Sequence, residues 1–340
     1  MSQQYAVGLD LGGTDIKAGL IATDGRIVAK LVRPTLPQRE PDAVLAEMAS
    51  LAVDVITQAG VAGSSVVGLG VGAPGPLSPS RGIIFKAANL PTFHDVAIRD
   101  QLARRTGLAT ILDNDGNAAA YGEFWAGAGR HVRNMVLFTL GTGLGAGVIV
   151  DGSLLRGHFE NAAELGHTIV ERNGRPCSCG QRGCLERYTS AGGIACRVIE
   201  ATEQGSKSML SGAPGGLENI TGRDIARAVA EGDALATRIW DEACQYLALG
   251  CVNVQHTFNP AMIILGGGMS GAGDLLLHSV RKHLDRQRWS LVDDAPEVVL
   301  AELGNDAGMI GAAGLMFAAV RAPLSDNSRT IRDPQGADRS

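Results

Sequence analysis

The chain has 340 residues, 45% of them hydrophobic and 19% charged, with a net charge of −5 and a pI near 5.8. That composition is globular, and the length suggests two domains with cores of their own. The acidic balance argues against a general affinity for nucleic acid or an anionic membrane, and neither a secretion signal nor a run of about 20 uncharged apolar residues is found, so a cytoplasmic location is expected.

In chain order, residues 6–34 read as three short strands joined by a Gly-Gly turn at 12–13 and an Asp-Gly turn at 24–25. Residues 41–60 follow as a helix with Val44, Leu45, Met48, Leu51, Ala52, Val55 and Ile56 on one face. A strand over 66–76 ends in a Gly/Pro loop, a helix around 96–106 stops at Gly107, and the strand ATILDND runs into an Ala-rich helix. The plan then starts again, because MVLFTLGTGLGAGVIV repeats the apolar, Gly-rich, apolar figure of LDLGGTDIKAGLI. Two hairpins of one design, each heading a half, suggest duplicated α/β lobes. Residues 151–190 form a polar, Cys-rich loop region, and 205–220 read as a mobile surface loop. A long helix over 232–257 ends at Asn259-Pro260, followed by strand AMIILGGG, a helix near 273–287, strand EVVLAEL, a helix near 306–321 and a disordered polar tail.

Gly12-Gly13-Thr14 and Gly141-Thr142-Gly143 occupy equivalent places in the two hairpins. Glycine lets main-chain N–H groups surround an anion, threonine adds a hydroxyl donor, and Lys17 offers positive charge. Ordinary hairpin turns are the plain alternative, but two copies with Thr favour phosphate. No G-x-x-x-x-G-K-[ST] occurs, so this is not a P-loop. Gly266-x-Gly268-x-x-Gly271 follows a strand and precedes a helix, yet no acidic residue ends a second strand about 20 residues later, as a dinucleotide site needs. Gly266, Gly267 and Gly268 are therefore read as backbone packed against an adenosine.

Three cysteines crowd between 177 and 184, in a chain without a secretion signal. With His167 they give one imidazole and three thiolates (His167, Cys177, Cys179, Cys184), a closed tetrahedral N/S set that suits structural zinc. Cys196, Cys244 and Cys251 lack such partners and read as small buried residues on helices. A closed site leaves no open position for water, so this zinc would hold a loop and perform no chemistry.

LDLGGTDIK, GVGAPGPL, DNDGNAAAYGE, LGTGLGAGVIV, AAELGH and CSCGQRGCLE stand in the order seen in the ROK family of sugar kinases and repressors, which residues 5–320 resemble. The resemblance implies a two-lobed, actin-like (ribonuclease-H-type) ATPase fold with an interlobe cleft. The N-terminal lobe would span 1–118, rejoined by the helix near 306–321, with a C-terminal lobe over 119–305 and a tail over 322–340. It implies Asp115 as catalytic base, Asn89 and Asn114 on sugar hydroxyls, and Glu164, His167 and Glu186 around the far side of the pyranose. Gly12, Gly13, Thr14, Thr142 and Gly143 match the phosphate loops, and Asp10 is placed beside magnesium. Repressor members carry a helix-turn-helix before the kinase-like part, and the motif beginning at Asp10 favours a kinase. Ala163 before Glu164, and Tyr188 and Ser190 after Cys-Leu-Glu, are similar to the glucokinase branch. His158, Phe159 and Glu160 replace smaller residues common there.

Physical chemistry adds its own reasons. A hexose hydroxyl is a poor nucleophile, and a carboxylate within hydrogen-bond reach can take its proton as the phosphoryl group arrives. A helix N-cap is the plain alternative for Asp115. The expectation is ATP-dependent phosphorylation of glucose, with Mg²⁺ accompanying ATP, structural Zn²⁺, no nucleic-acid or membrane partner, and a homodimer. Alternatives are another hexose, polyphosphate as donor, a non-catalytic sugar-binding regulator, or a dinucleotide-dependent oxidoreductase.

Overall fold

The computed structural model describes residues 3–321 apart from 88, 213–215, 217–219, 288 and 290. The expected tail over 322–340 and part of the loop over 205–220 lie outside the described residues. Strands β1 (Tyr5–Leu11), β2 (Asp15–Ala22) and β3 (Ile27–Pro34) form an antiparallel meander in which Asp10 pairs with Lys17. Helix α1 (Pro41–Ala59) buries Val44, Leu45, Met48, Leu51, Ala52 and Val55 and leads to β4 (Val66–Ala73), which lies parallel to β1. A small antiparallel sheet follows: β5 (Leu77–Ser78), β6 (Ile83–Ala87) and β7 (Leu90–Val96). Helix α2 (Ile98–Thr106) then returns the chain to β8 (Thr110–Asn114), parallel to β4, so the first sheet has the order β3-β2-β1-β4-β8.

The second half repeats the plan. Strands β9 (Met135–Leu140), β10 (Leu144–Val150) and β11 (Ser153–Leu154) form the meander, and β12 (Met262–Gly266) and β13 (Glu297–Leu300) extend it in parallel, in the order β11-β10-β9-β12-β13. One order in two sheets is the duplicated α/β core expected from the paired hairpins. Parallel neighbours need crossovers of a dozen residues or more, which the helices supply.

Between the sheets lie α3 (Asp115–Ala126) and α9 (Ala307–Arg321). They touch closely because small residues line the contact: a Cβ on Gly311 would stand 1.7 Å from the Ala118 carbonyl oxygen. α9 presses equally closely on the first sheet, where a Cβ on Gly8 would be 1.9 Å from the Met309 carbonyl oxygen and one on Gly70 1.8 Å from that of Ala312. α3 faces the second sheet, with Gly147 beneath Ala120. Ala6, Ile21, Met309, Ile310 and Ala313 make one buried cluster with the first sheet, and Ala119, Ala120, Leu137 and Ile264 make another with the second.

The long segment between β11 and β12 carries α4 (Glu186–Thr189), α5 (Ala191–Glu203), α6 (Gly222–Ala230) and α7 (Ala234–Phe258), and α8 (Asp274–Asp285) follows β12. Among the described residues no helix is long and apolar enough to cross a membrane.

Candidate active site

Parallel strands in open α/β sheets deliver ligand-binding groups at their carboxyl ends. Here those ends are Asp10 on β1, the turn after Ala73 on β4, Asn114 on β8 and Gly266 on β12. Between the two sheets opens a cleft of about 570 Å³, lined by Asn89, Asn114, Asp115, Glu164, His167 and Glu186 together with Gly141, Thr142, Gly143 and Gly267. A smaller cavity of about 170 Å³, lined by Asp10, Lys17, Asp115, Glu123, Gly266 and Gly267, adjoins it. Asp115, Thr139 and Gly267 belong to both. Gly12, Gly13, Thr14 and Gly268 line neither. Gly13 packs instead against Asn89, where an added Cβ would lie 3.1 Å from the asparagine's own Cβ.

Asp115 opens α3, but it is not the cap. Asn114 is: its Oδ1 accepts from the N–H groups of Gly116 at 2.9 Å and Asn117 at 3.2 Å. Asn satisfies that role as well as any residue, which leaves the half-buried Asp115 carboxyl facing the cleft. Burial and the neighbouring negative charge of Asp10 push that carboxyl up to about 7, against a hydrogen bond from the Gly116 N–H at 2.8 Å. A carboxylate that titrates near neutrality is poised to take a proton.

Asp10 itself is raised by burial, which the Lys17 charge opposes. Lys17 Nζ lies 3.3 Å from Asp10 Oδ2 and donates to the Asn305 carbonyl at 3.0 Å, so its charge is held in the lining of the smaller cavity. Gly267, in the same lining, has φ +81°, and an added Cβ would be 2.6 Å from the Leu140 backbone nitrogen. Both conformation and space therefore demand glycine there.

The second glycine hairpin is bound to Glu186, whose Oε2 accepts the Leu144 N–H at 2.9 Å and would be 2.6 Å from a Cβ on Gly143. Glu164 precedes the short turn Leu165–His167, and its carboxyl is raised by burial, with His167 pulling it down and Glu186 adding to the rise.

His167 Nδ1 lies 3.6 Å from Cys177 Sγ, and Cys179 Sγ lies 3.6 Å from Cys184 Sγ. The ligand atoms of all four residues lie within 4.8 Å of one another. A tetrahedron with Zn–S bonds of about 2.3 Å has edges of roughly 3.8 Å, so the donor set fits zinc. Bridges Ile169↔Cys184 and Pro176↔Arg182 shape the loop, and Arg175 ties it to α5 through two 2.7 Å bonds to Glu200. Ser190 caps α5 by accepting from the Gly193 N–H at 3.0 Å, while Tyr188 stacks on Tyr246 at 4.2 Å between centroids.

Residue reading missed two charged groups. Asp113, 3% exposed, accepts from Arg156 Nε at 2.8 Å and Nη2 at 2.6 Å and from Asn117 Nδ2 at 2.9 Å, fixing the strand end that carries Asn114 and Asp115. Fully buried Glu123 accepts the N–H groups of Ala128 at 2.9 Å, Glu302 at 3.1 Å and Leu303 at 2.8 Å, joining α3 to the approach to α9. The first acid in DNDGN signals Asp113, but no spacing names Arg156 as its partner.

The ROK family profile matches residues 6–319. The glucokinase of Halalkalibacterium halodurans is 38% identical over 317 residues, which is 93% of this chain and 96% of that protein. The crystal structure of a ROK family glucokinase from Streptomyces griseus in complex with glucose and AMPPNP is similar with a TM-score of 0.79 at 32% identity, covering 92% of this chain and 98% of that one. A xylose repressor of Caldicellulosiruptor bescii is 26% identical over 311 residues, 92% of this chain and 77% of its own length.

Proposed function

This chain belongs to the ROK family, and from that premise we propose that it is a glucokinase, transferring the γ-phosphoryl group of ATP to the 6-hydroxyl of glucose. The observation that carries the reading is Asp115: a cleft-facing carboxyl with its pKa near 7, flanked by sugar-type hydrogen-bonding groups on one side and a glycine hairpin on the other. In this reading Asn89, Asn114, Glu164, His167 and Glu186 hold the hexose through its hydroxyls. Asp115 accepts the proton of the attacking hydroxyl as the phosphoryl group arrives. Main-chain N–H groups of Gly13, Thr14, Thr142 and Gly143, with Lys17, offset charge on the phosphates, and Gly266–Gly268 pack against the adenosine. Magnesium, when bound, supplies further neutralisation of phosphate charge, and Asp10 offers it a hard oxygen ligand. Zinc on His167, Cys177, Cys179 and Cys184 would fix the wall that carries Glu164 and Glu186.

An ATP-dependent reaction of this kind fits the cytoplasm and the start of sugar breakdown. The family resemblance also carries the expectation of a homodimer, which light scattering on the purified protein checks. The decisive test is ADP release with ATP or polyphosphate as donor and glucose, 2-deoxyglucose, mannose, fructose, allose and the N-acetyl sugars as acceptors. Glucose should give the highest kcat/KM and 2-deoxyglucose a lower one, because a site built to bond a hydroxyl rejects analogues that lack it. Top activity on N-acetylmannosamine would move the assignment to another hexose. No turnover with any sugar, with binding retained, would favour a regulator like the repressor relative.

A further inference from the structure

Residues 156–163 leave β11 on the second sheet, yet their side chains bond to the first half of the molecule. Asn161 Oδ1 accepts the Leu77 N–H at 3.0 Å, and its Nδ2 donates to the Leu77 carbonyl at 3.0 Å and to the Phe159 carbonyl at 2.7 Å. One amide thus satisfies both polar groups of a residue on the free edge of β5, as a neighbouring strand would. Glu160 adds a second attachment: its carboxylate accepts from the Ser78 hydroxyl, from the Ser80 N–H at 3.2 Å and from the Ser80 hydroxyl at 2.9 Å. The backbone is held against its preference to achieve this. Glu160 has φ +62° and Ala163 φ +68°, left-handed conformations that a non-glycine residue keeps only when its surroundings enforce them.

The two ends of this strap are the two walls of the cleft. On one side it runs directly into Glu164 and His167; on the other it grips the chain immediately after Pro74 and Gly75, which line the same cleft. An added Cβ on Gly75 would lie 3.4 Å from Asn114 Nδ2 and 3.9 Å from Asn161 Oδ1, so the strap amide and Asn114 border the same cleft glycine. We propose that Asn161, supported by Glu160, is a positioning residue that sets the width of the hexose site, and that it acts on sugar affinity without acting on the nucleotide. This inference rests on the glucokinase reading only for the identity of the sugar.

The test is Asn161→Ala measured beside the unaltered enzyme for glucose KM, ATP KM and kcat, with glucose Kd from calorimetry and a melting curve. Losing two bonds across the walls should raise glucose KM and Kd roughly tenfold to thirtyfold. ATP KM and kcat should stay within about twofold. Glu160→Gln keeps an oxygen for Ser78 and Ser80 and should raise glucose KM no more than about threefold. Ser78→Ala, which removes a single strap bond, gives the same reading should Asn161→Ala fail to fold. A lower melting temperature with unchanged glucose Kd would overturn the proposal, as would equal losses for glucose and ATP. If the unaltered enzyme ignores glucose, the glucokinase reading fails, and the strap is judged by calorimetry with whichever hexose binds.

Discussion

The two glycine hairpins occupy the same place in sheets of the same order, yet they are braced from different parts of the chain. The first is held by its own sheet: Gly12 N–H donates to the Asp15 carbonyl at 2.9 Å, and Thr35 at the end of β3 donates its N–H to Thr14 at 2.8 Å and its hydroxyl to Gly12 at 2.7 Å. The second closes on itself, Gly141 N–H to the Gly143 carbonyl at 2.9 Å, but its outer face is taken by residues 186–192. Glu186 accepts from Leu144, Ala191 N–H donates to the Gly141 carbonyl at 2.9 Å, and Gly192 N–H donates to that of Thr142 at 3.3 Å. Those residues directly follow the zinc-type cluster. The first hairpin is thus hydrogen-bonded within its own sheet, and the second is bonded to the wall that carries Glu186. A duplicated scaffold has become asymmetric through the segment between β11 and β12, which carries α4 to α7 where the first half has only α1 between β3 and β4.

Asp115 lines both cavities and is the proposed base, so its replacement should have the largest effect and the least regard for this asymmetry. Asp115→Asn keeps shape but cannot accept the proton, and kcat should fall roughly 10²–10⁴-fold while glucose Kd, read by calorimetry, changes little. Near-normal kcat would remove Asp115 from the chemistry. In the unaltered enzyme the base must be ionised, so kcat/KM for glucose should drop about tenfold from pH 8 to pH 6, following a group near 7.

Next in size is Glu186, where the asymmetry is tested directly. Glu186→Ala leaves the Leu144 N–H without its partner and should worsen both glucose and ATP KM, by about tenfold each on the scale of a lost charged hydrogen bond. Glu186→Gln retains an acceptor and should spare ATP while weakening glucose. Identical ATP constants in all three proteins would show the second hairpin to be as self-sufficient as the first.

Cys179→Ser probes the same connection from further away. Metal content, read by elemental analysis of chelator-free protein, should fall from one zinc per chain to near none. Glucose KM should rise more than ATP KM, because the loosened loop carries Glu164 and His167. Fully active, metal-free protein would disprove the zinc site.

The smallest effect is on stability and runs opposite to activity. The Asp115 carboxyl is held at about 7 in the fold, above the ordinary carboxylate value of 3.8, so folding favours its protonated form. Its ionisation costs nothing below pH 4, progressively more between pH 4 and 7, and its full amount above pH 7. Asp115→Asn should therefore melt a few degrees higher than the unaltered protein at pH 8 without magnesium, and the two should converge near pH 4.

The hairpins, the Cys/His spacing and the order of strands and helices were legible because each is encoded within a few residues. Val44, Leu45 and Met48 declare their helix by period alone, and Cys177, Cys179 and Cys184 declare their cluster by proximity. What stayed hidden is joined across the chain. Asp113 and Arg156 are 43 residues apart, and Leu77 and Asn161 are 84 apart, with no local signature for either pair. The sheet β5–β7 has little sequence signal because its first strand has two residues and its partners interrupt their apolar pattern with Lys86 and Pro91. The cap alternative for Asp115 fails because Asn114 and Asp115 are equally good caps by residue type, and only the hydrogen-bond directions tell them apart. Lys17 reads as free positive charge but is tied to Asp10 and to Asn305, the latter 288 residues away.

The seating of α9 on Gly8 and Gly70 has a consequence for how the chain is made. The ribosome delivers β1 to β4 early, but the helix that covers that sheet is specified by residues 307–321. The second sheet, by contrast, has all its strands once residue 300 has emerged. At about 5–20 residues per second, the first-made sheet, complete at Asn114, waits on the order of 10–40 s with Ala6 and Ile21 uncovered. The half synthesised first is completed last, and any chain stalled before α9 exposes an apolar sheet face to chaperones and proteases.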